Sequence, residues 1–152
     1  MIRILFVCHG NICRSPMAQF VMQHLVNQAG REKEFFIDSK ATSTEELGNG
    51  PYPPVRQKMR EVGIPMLPHR ASQISRSDYA NYDYIIGMDE ANIRNMNRIF
   101  GGDPDGKIFK LRSFAGSPQD IADPWYTGDF DTTYDQVFAG CSALLDLFDE
   151  ED

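Results

Sequence analysis

Two rhythms of apolar and polar positions alternate along the chain, and the switches between them mark out its elements. Residues 2–7, IRILFV, are a short apolar run with β-branched character, the pattern of a buried strand. The period then changes: Ala18, Val21, Met22, Leu25 and Ala29 recur at helical spacing, and Gly30 is a natural stop. Ser15 followed by Pro16 supplies that helix with a start, Ser15 as N-cap and Pro16 at the first helical position. EFFID at 34–38 predicts a second strand, and the turn-rich stretch 44–54 leads into a helix from about Val55 to Val62. YDYIIGM at 82–88 predicts a third strand, with Asp89 placed to cap a helix that runs to about Phe100. KIFKL at 107–111 predicts a short strand, and 113–129 reads as a long irregular loop. On a last helix, from about Thr132 to Phe148, Tyr134, Val137, Phe138, Cys141, Leu144, Leu145 and Phe148 form one apolar stripe.

Strands alternating with helices imply a parallel sheet with helices on both faces. The expected architecture is α/β, Rossmann-like and three-layered, with residues 1–152 forming a single domain. There is no repeat, linker or low-complexity tract, only an acidic DEED tail expected to fray.

Composition narrows the function classes. Apolar residues make up 41% and charged residues 24% of the 152, a soluble globular balance. No apolar run approaches the roughly 20 residues needed to cross a bilayer, so membrane insertion is not expected. The N-terminal stretch lacks the long apolar core and cleavage site of a secretory signal, and the expected location is the cytoplasm. A net charge of −7 repels polyanions, which argues against nucleic acid and anionic membranes as partners. Three cysteines make no disulfide framework, and none of His9, His24 and His69 sits at metal-ligand spacing with a cysteine pair. Neither a metal nor a cofactor is expected.

The chemistry concentrates where the first strand ends. In open α/β sheets ligands bind beyond the carboxyl ends of strands, near a helix N-terminus. Cys8, His9, Gly10, Asn11, Ile12, Cys13, Arg14 and Ser15 occupy that place. Peptide units wrapping from Cys8 to Arg14 can turn their N–H groups inward and form an anion cradle backed by the helix dipole. Gly10 and Asn11 suit a loop that needs left-handed backbone. A thiol in such a cradle, beside a cation, is stabilised as the nucleophilic thiolate. Arg14 offers a planar fork for two phosphoryl oxygens, and the Ser15 hydroxyl can donate to the Cys8 sulfur. Against this stand plainer readings: Cys8 as an inert buried thiol, and Ser15 as a helix cap alone. The conjunction C-x₅-R-S behind an apolar strand favours the catalytic one.

VCHGNICRSPMAQ resembles the phosphate loop of the low-molecular-weight protein tyrosine phosphatases, and ADPWY resembles that family's acid-bearing loop. Weaker matches at Ala41-Thr42-Ser43, Pro68-His69-Arg70-Ala71-Ser72 and Met88-Asp89-Glu90-Ala91-Asn92 follow in order, so the resemblance covers essentially the whole chain. It implies a four-stranded parallel sheet and hydrolysis of phosphotyrosine in proteins through a phosphocysteine. Cys8 is then the nucleophile, Arg14 the phosphate clamp and Asp123 the general acid. It further implies that Ser43, Asn11 and His69 share a hydrogen-bond network bracing the loop, and that Trp125 and Tyr126 line the substrate slot. A carboxylic acid over the site suits protonation of an aryl oxide leaving group on chemical grounds too. Asp89 reads only as a helix cap. Cys13, inside the same loop as Cys8, is either a small buried filler or, as the resemblance favours, a redox partner able to bridge to Cys8.

Two positions depart from the family pattern. His9 stands where an apolar or small residue is usual, and Thr44-Glu45-Glu46 stand where many relatives place an aromatic. Acidic groups at that rim should disfavour acidic phosphopeptides. Ile12 is the residue associated with tyrosine-directed members, where phosphoarginine-directed relatives carry Thr. A phosphotyrosine-containing protein is the expected partner, with a cognate tyrosine kinase as its counterpart. Two rivals are a thiol-linked arsenate reductase and a non-catalytic phosphoprotein-binding module. The first needs two further downstream cysteines where only Cys141 exists, and the second needs neither Cys8 nor Asp123. Nucleotide hydrolysis lacks its G-x-x-x-x-G-K-[ST] loop.

Overall fold

The computed structural model describes residues 1–149, so all but the first residue of the acidic tail lies outside the described residues. Its strands are Ile2–Cys8 (β1), Phe35–Ala41 (β2), Tyr84–Gly87 (β3) and Ile108–Lys110 (β4). The helices are Arg14–Gln28 (α1), Pro53–Val62 (α2), Asp78–Asn81 (α3), Glu90–Phe100 (α4), Pro124–Thr127 (α5) and Phe130–Leu147 (α6).

The strands form one sheet in the order β2-β1-β3-β4, every neighbouring pair parallel. This is the four-stranded parallel sheet that the resemblance implied. β1 lies inside it, and its alternating side chains are buried on both faces. Ile4 and Phe6 pack with Met17, Phe20 and Val21 of α1, Val55 and Met59 of α2, and Val137, Cys141 and Leu144 of α6. Leu5 and Val7 pack on the other face with Ile85, and with Met96 and Phe100 of α4. Burying each such large side chain stabilises the fold by about 1.5–3 kcal/mol, so β1 is a rigid base for whatever follows it.

Several boundaries differ from the sequence expectation, each for a local reason. β2 runs past residue 38 to Ala41, because Ser39, Lys40 and Ala41 pair with Phe6, Val7 and Cys8 through backbone alone. Polar side chains hid that extension. Helix α1 begins at Arg14, and Ser15 lies fully buried within its first turn with no capping bond, so Ser15 is not the N-cap. The stretch 113–129 is not wholly irregular: Asp123 accepts from the Trp125 N–H at 3.1 Å and caps the short α5. Among the described residues the four-residue α3 also escaped the apolar pattern.

From β1 the chain crosses through α1 to β2 on one side, and β3 pairs with β1 on the other. The strand order therefore switches between β1 and β3, opening a crevice at their carboxyl ends. Cys8 closes β1 and Asp89 follows β3, so both look into it.

Candidate active site

The 8–15 loop turns on Asn11, whose φ of 60° is the only positive value at a non-glycine among the described residues. Gly10, the other residue suited to this geometry, does not adopt it. Asn11 is fully buried, and its polar groups explain how it holds the turn. Its N–H donates to Cys8 Sγ at 3.3 Å, and its Oδ1 accepts from the Ser72 N–H at 3.2 Å. Its Nδ2 donates to Ser15 Oγ at 2.8 Å and to Ser39 Oγ at 3.0 Å. Its carbonyl accepts from His69 Nε2 at 2.8 Å, which makes Nε2 the protonated ring nitrogen.

The direction of these bonds can be read off by counting hydrogens. Ser39 Oγ donates its one hydrogen to Gln19 Oε1 at 2.6 Å, so it must accept from Asn11. Ser15 Oγ also accepts from Asn11, which leaves its own hydrogen for Cys8 Sγ, 2.9 Å away. The chain thus ends on a donor aimed at sulfur. Ser43 does not bond to Asn11, but it supports the loop at its other end, where its Oγ and its N–H both donate to the His9 carbonyl, at 2.8 and 3.1 Å. Ser39 takes the inner place because the extended β2 sets it opposite Phe6, beside α1. Gln19, one helical turn after Ser15 on the same face of α1, completes the network. A buried polar pair at i, i+4 within an otherwise apolar stretch is the signal that could have found it.

Arg14 is also buried, at 3% exposure. Its Nη1 donates to the Ile121 carbonyl at 3.0 Å, and its Nη2 meets Asp123 Oδ2 at 3.3 Å and Asp89 Oδ2 at 2.9 Å. Burial works against its charge, but Cys8, Asp123 and Asp89 outweigh that and hold the guanidinium above its ordinary pKa. Asp89 is therefore more than the cap it seemed. Its Oδ1 caps α4 by accepting from Asn92 N–H at 2.8 Å, while Oδ2 spans the crevice to Arg14. The acid-bearing segment is pinned as well: Ile121 N–H reaches Met88 O at 2.8 Å, Ala122 N–H reaches Gln136 Oε1 at 2.8 Å, and Thr133 Oγ1 donates to Ala122 O at 2.9 Å.

These groups line one cleft of about 210 Å³, whose walls include Cys8, His9, Gly10, Ile12, Cys13, Arg14 and Asp123. Among the described residues no protein group accepts from the N–H groups of Gly10, Ile12 and Cys13. The site thus combines a buried sulfur, unclaimed backbone donors, a guanidinium and a carboxylate. Trp125 and Tyr126 stand at the mouth, 54% and 84% exposed, so Trp125 is not a core residue. Trp125 rests on Tyr52 with ring centroids 4.9 Å apart, a wall the sequence did not reveal. Glu45 and Glu46 complete the rim, with Glu45 paired to His9 at 2.8 Å. Cys13 is buried, and burial, followed by the charges of Cys8 and Asp123, pushes its thiol up to about 12. Burial also lowers the pKa of His69, against its Asn11 bond and the charge of Asp38.

Comparison with known proteins places this arrangement in context. A family profile described as low molecular weight phosphotyrosine protein phosphatase matches residues 3–152. The human low molecular weight phosphotyrosine protein phosphatase is 42% identical over 148 residues, covering 94% of this chain and 93% of that one. The crystal structure of YfkJ from Bacillus subtilis superposes with a TM-score of 0.95 at 35% identity, covering 100% of this chain and 97% of that one. A crystal structure titled drosophila arginine phosphatase gives a TM-score of 0.87 at 29% identity, covering 98% and 99%.

Proposed function

Because the chain belongs to the low molecular weight phosphotyrosine protein phosphatase family, we propose that it hydrolyses phosphotyrosine in proteins through a phosphocysteine at Cys8. The observation that carries the reading is the Ser15 hydroxyl aimed at Cys8 Sγ, 2.9 Å away, in a cleft that also holds Arg14 and Asp123.

In the first step the Cys8 thiolate attacks phosphorus, the phosphorus–oxygen bond to the aryl group breaks, and the Asp123 carboxyl gives its proton to the departing oxygen. The Nε–H of Arg14 has no protein acceptor among the described residues, and with the loop amides it supports the charge spreading over the phosphoryl oxygens. In the second step the Asp123 carboxylate takes a proton from water as that water attacks phosphorus. The sulfur–phosphorus bond breaks, and the Ser15 donor stabilises the sulfur as it leaves.

An aryl phosphate can pass between Trp125 and the opposite rim to reach Cys8, while the shorter phosphoserine is held too far out. Ile12 at the loop supports tyrosine over arginine as the phosphorylated residue. A reducing cytoplasm, with a cognate tyrosine kinase, suits a thiol enzyme of this kind. Cys8→Ser tests the mechanism: hydrolysis of phenyl phosphate and phosphotyrosine peptides should fall to background with the fold intact and no phosphocysteine trapped by acid quench. Substantial residual turnover would refute the role of Cys8. Comparable kcat/KM for phosphoserine or phosphoarginine peptides would overturn the tyrosine assignment while leaving the phosphatase.

A further inference from the structure

The proposed reaction makes no use of a second, larger cavity of about 450 Å³, lined by Gly50, Arg56, Pro68, His69 and Arg70. Its electrostatics set it apart. The catalytic cleft includes Glu45, Glu46 and Asp123, and the cleft between α2 and the start of α6 includes Glu61, Asp129 and Asp131. This cavity presents two guanidiniums and, among the described residues, no carboxylate, in a chain of net charge −7.

Both guanidiniums are held in place. Arg56 Nε–H donates to Pro51 O at 2.8 Å, and Arg70 Nη1–H donates to Gly48 O at 3.1 Å, so one loop anchors both. Neither forms an ion pair among the described residues, and their remaining N–H groups are free to donate. Gly50 is part of the construction, since a Cβ there would collide with Nη2 of Arg56.

The wall of the cavity is also stitched to the phosphate loop. Gly48 N–H reaches Ala71 O at 2.9 Å and Ala71 N–H reaches Asn49 O at 2.8 Å, which makes the 48–51 and 69–71 segments one unit. From that unit His69 donates to the Asn11 carbonyl, and the Tyr52 N–H donates to the Ile12 carbonyl at 2.9 Å. One carbonyl of the phosphate loop therefore hangs on the lining residue His69, and the next on Tyr52, which directly follows the 48–51 segment.

We propose that this cavity is a second binding site for a phosphoryl group, held by Arg56 and Arg70, and that its occupation is felt at the phosphate loop through Asn11 and Ile12. A guanidinium matches phosphoryl oxygens in geometry and charge, and two exposed ones, each with one backbone anchor, line this cavity. The volume leaves room for the group and part of what carries it. Two sources share this chemistry: free inorganic phosphate, or a second phosphoryl group on a phosphotyrosine substrate.

The test is a titration of inorganic phosphate into the full ¹⁵N-labelled chain. Amides of 48–51 and 69–71 should follow a saturation curve of their own, distinct from that of 9–15. Arg56→Gln with Arg70→Gln should weaken that curve about tenfold or more and leave both the 9–15 curve and phenyl phosphate hydrolysis in place. Gly50→Ala, which displaces Arg56 while keeping both arginines, should weaken it severalfold. Shifts at 48–51 that merely track the 9–15 curve, or unchanged binding by the double variant, would overturn the proposal. A peptide carrying phosphoserine beside phosphotyrosine then separates the sources. A kcat/KM advantage over the singly phosphorylated peptide, lost in the double variant, assigns a tethered phosphoryl group, and equal values assign free phosphate. Failure of the Cys8 mechanism would leave the second curve untouched, so the two ideas fail separately.

Discussion

Beneath Cys8 the site is buried, uncharged and cross-linked by hydrogen bonds, whereas around its mouth it is charged, aromatic and open to water. The floor is Asn11, Ser15, Ser39 and Gln19, at most 7% exposed, with the Asn11 amide and both hydroxyls each donating to a partner within reach. The rim is His9, Glu45 and Asp123, with Trp125 and Tyr126 on the short α5. Interactions in the floor gain strength from low dielectric, and those at the rim are screened. On the proposed mechanism the contrast is a division of labour: the floor holds the sulfur in place whatever the substrate, and the rim meets the group attached to phosphorus.

The strongest way to break this division is Asp123→Ala, expected to cost about 10²–10⁴-fold with poor leaving groups and far less with good ones. The check is a plot of kcat/KM against leaving-group acidity. An equal loss across the series would mean that Asp123 acts by holding Arg14 instead. Ser15→Ala probes the floor. Loss of a hydrogen bond to a charged group, about 1.5–3 kcal/mol, should lower activity roughly 10–100-fold by the same factor for every leaving group and slow alkylation of Cys8 by iodoacetate. A leaving-group dependence there would dissolve the floor-and-rim distinction.

Cys13 sits between the two regions, and its effect should be smaller. If peroxide converts Cys8 to a sulfenic acid, the Cys13 thiol can attack that sulfur, forming a disulfide and releasing water. A sulfenic acid at Cys8 carries no charge, and the charge of Cys8 is one of the causes, after burial, that hold the Cys13 thiol up. After peroxide and then a dithiol reductant, wild type should recover most activity and Cys13→Ser severalfold less. Equal recovery, or no Cys8–Cys13 bridge by peptide mapping, leaves Cys13 as a filler. The smallest expected effect is on stability. The folded pKa of His69 is lowered, so between it and the unfolded value near 6.5 the unfolded chain binds more protons. Stability is therefore fully present above that unfolded value and lost as pH falls through the folded one. His69→Gln should flatten the drop in urea midpoint between about pH 7 and 5; an unchanged drop would assign it to other groups.

Much of the molecule was legible because its signals are local. The run IRILFV, the periodic stripe of α6 and the loop from Cys8 to Arg14 each declare themselves within a few residues. Asp123 and Trp125 could be picked out only through their company in ADPWY. What stayed hidden depends on register and on contacts across the fold. Ser39 enters the floor only because β2 continues through polar residues, while Ser43, the serine expected there, braces the loop at His9 instead of at Asn11. Asp89 reaches Arg14 only because the strand order puts β3 beside β1. Ser15 reads as a cap from its neighbour Pro16, yet the helix begins at Arg14, two residues before Pro16, and only the expected reach of the hydroxyl to sulfur holds.

The anchoring of Ala122 by Gln136 and Thr133 has a meaning in the order of synthesis. The sulfur and its loop are made within the first fifteen residues, while the two side chains that hold Ala122, next to Asp123, belong to α6, the last described helix. A growing chain therefore holds Cys8 long before it can station Asp123. The two halves of the site meet only when α6 docks beside α1, so completing the fold and completing the enzyme are one event.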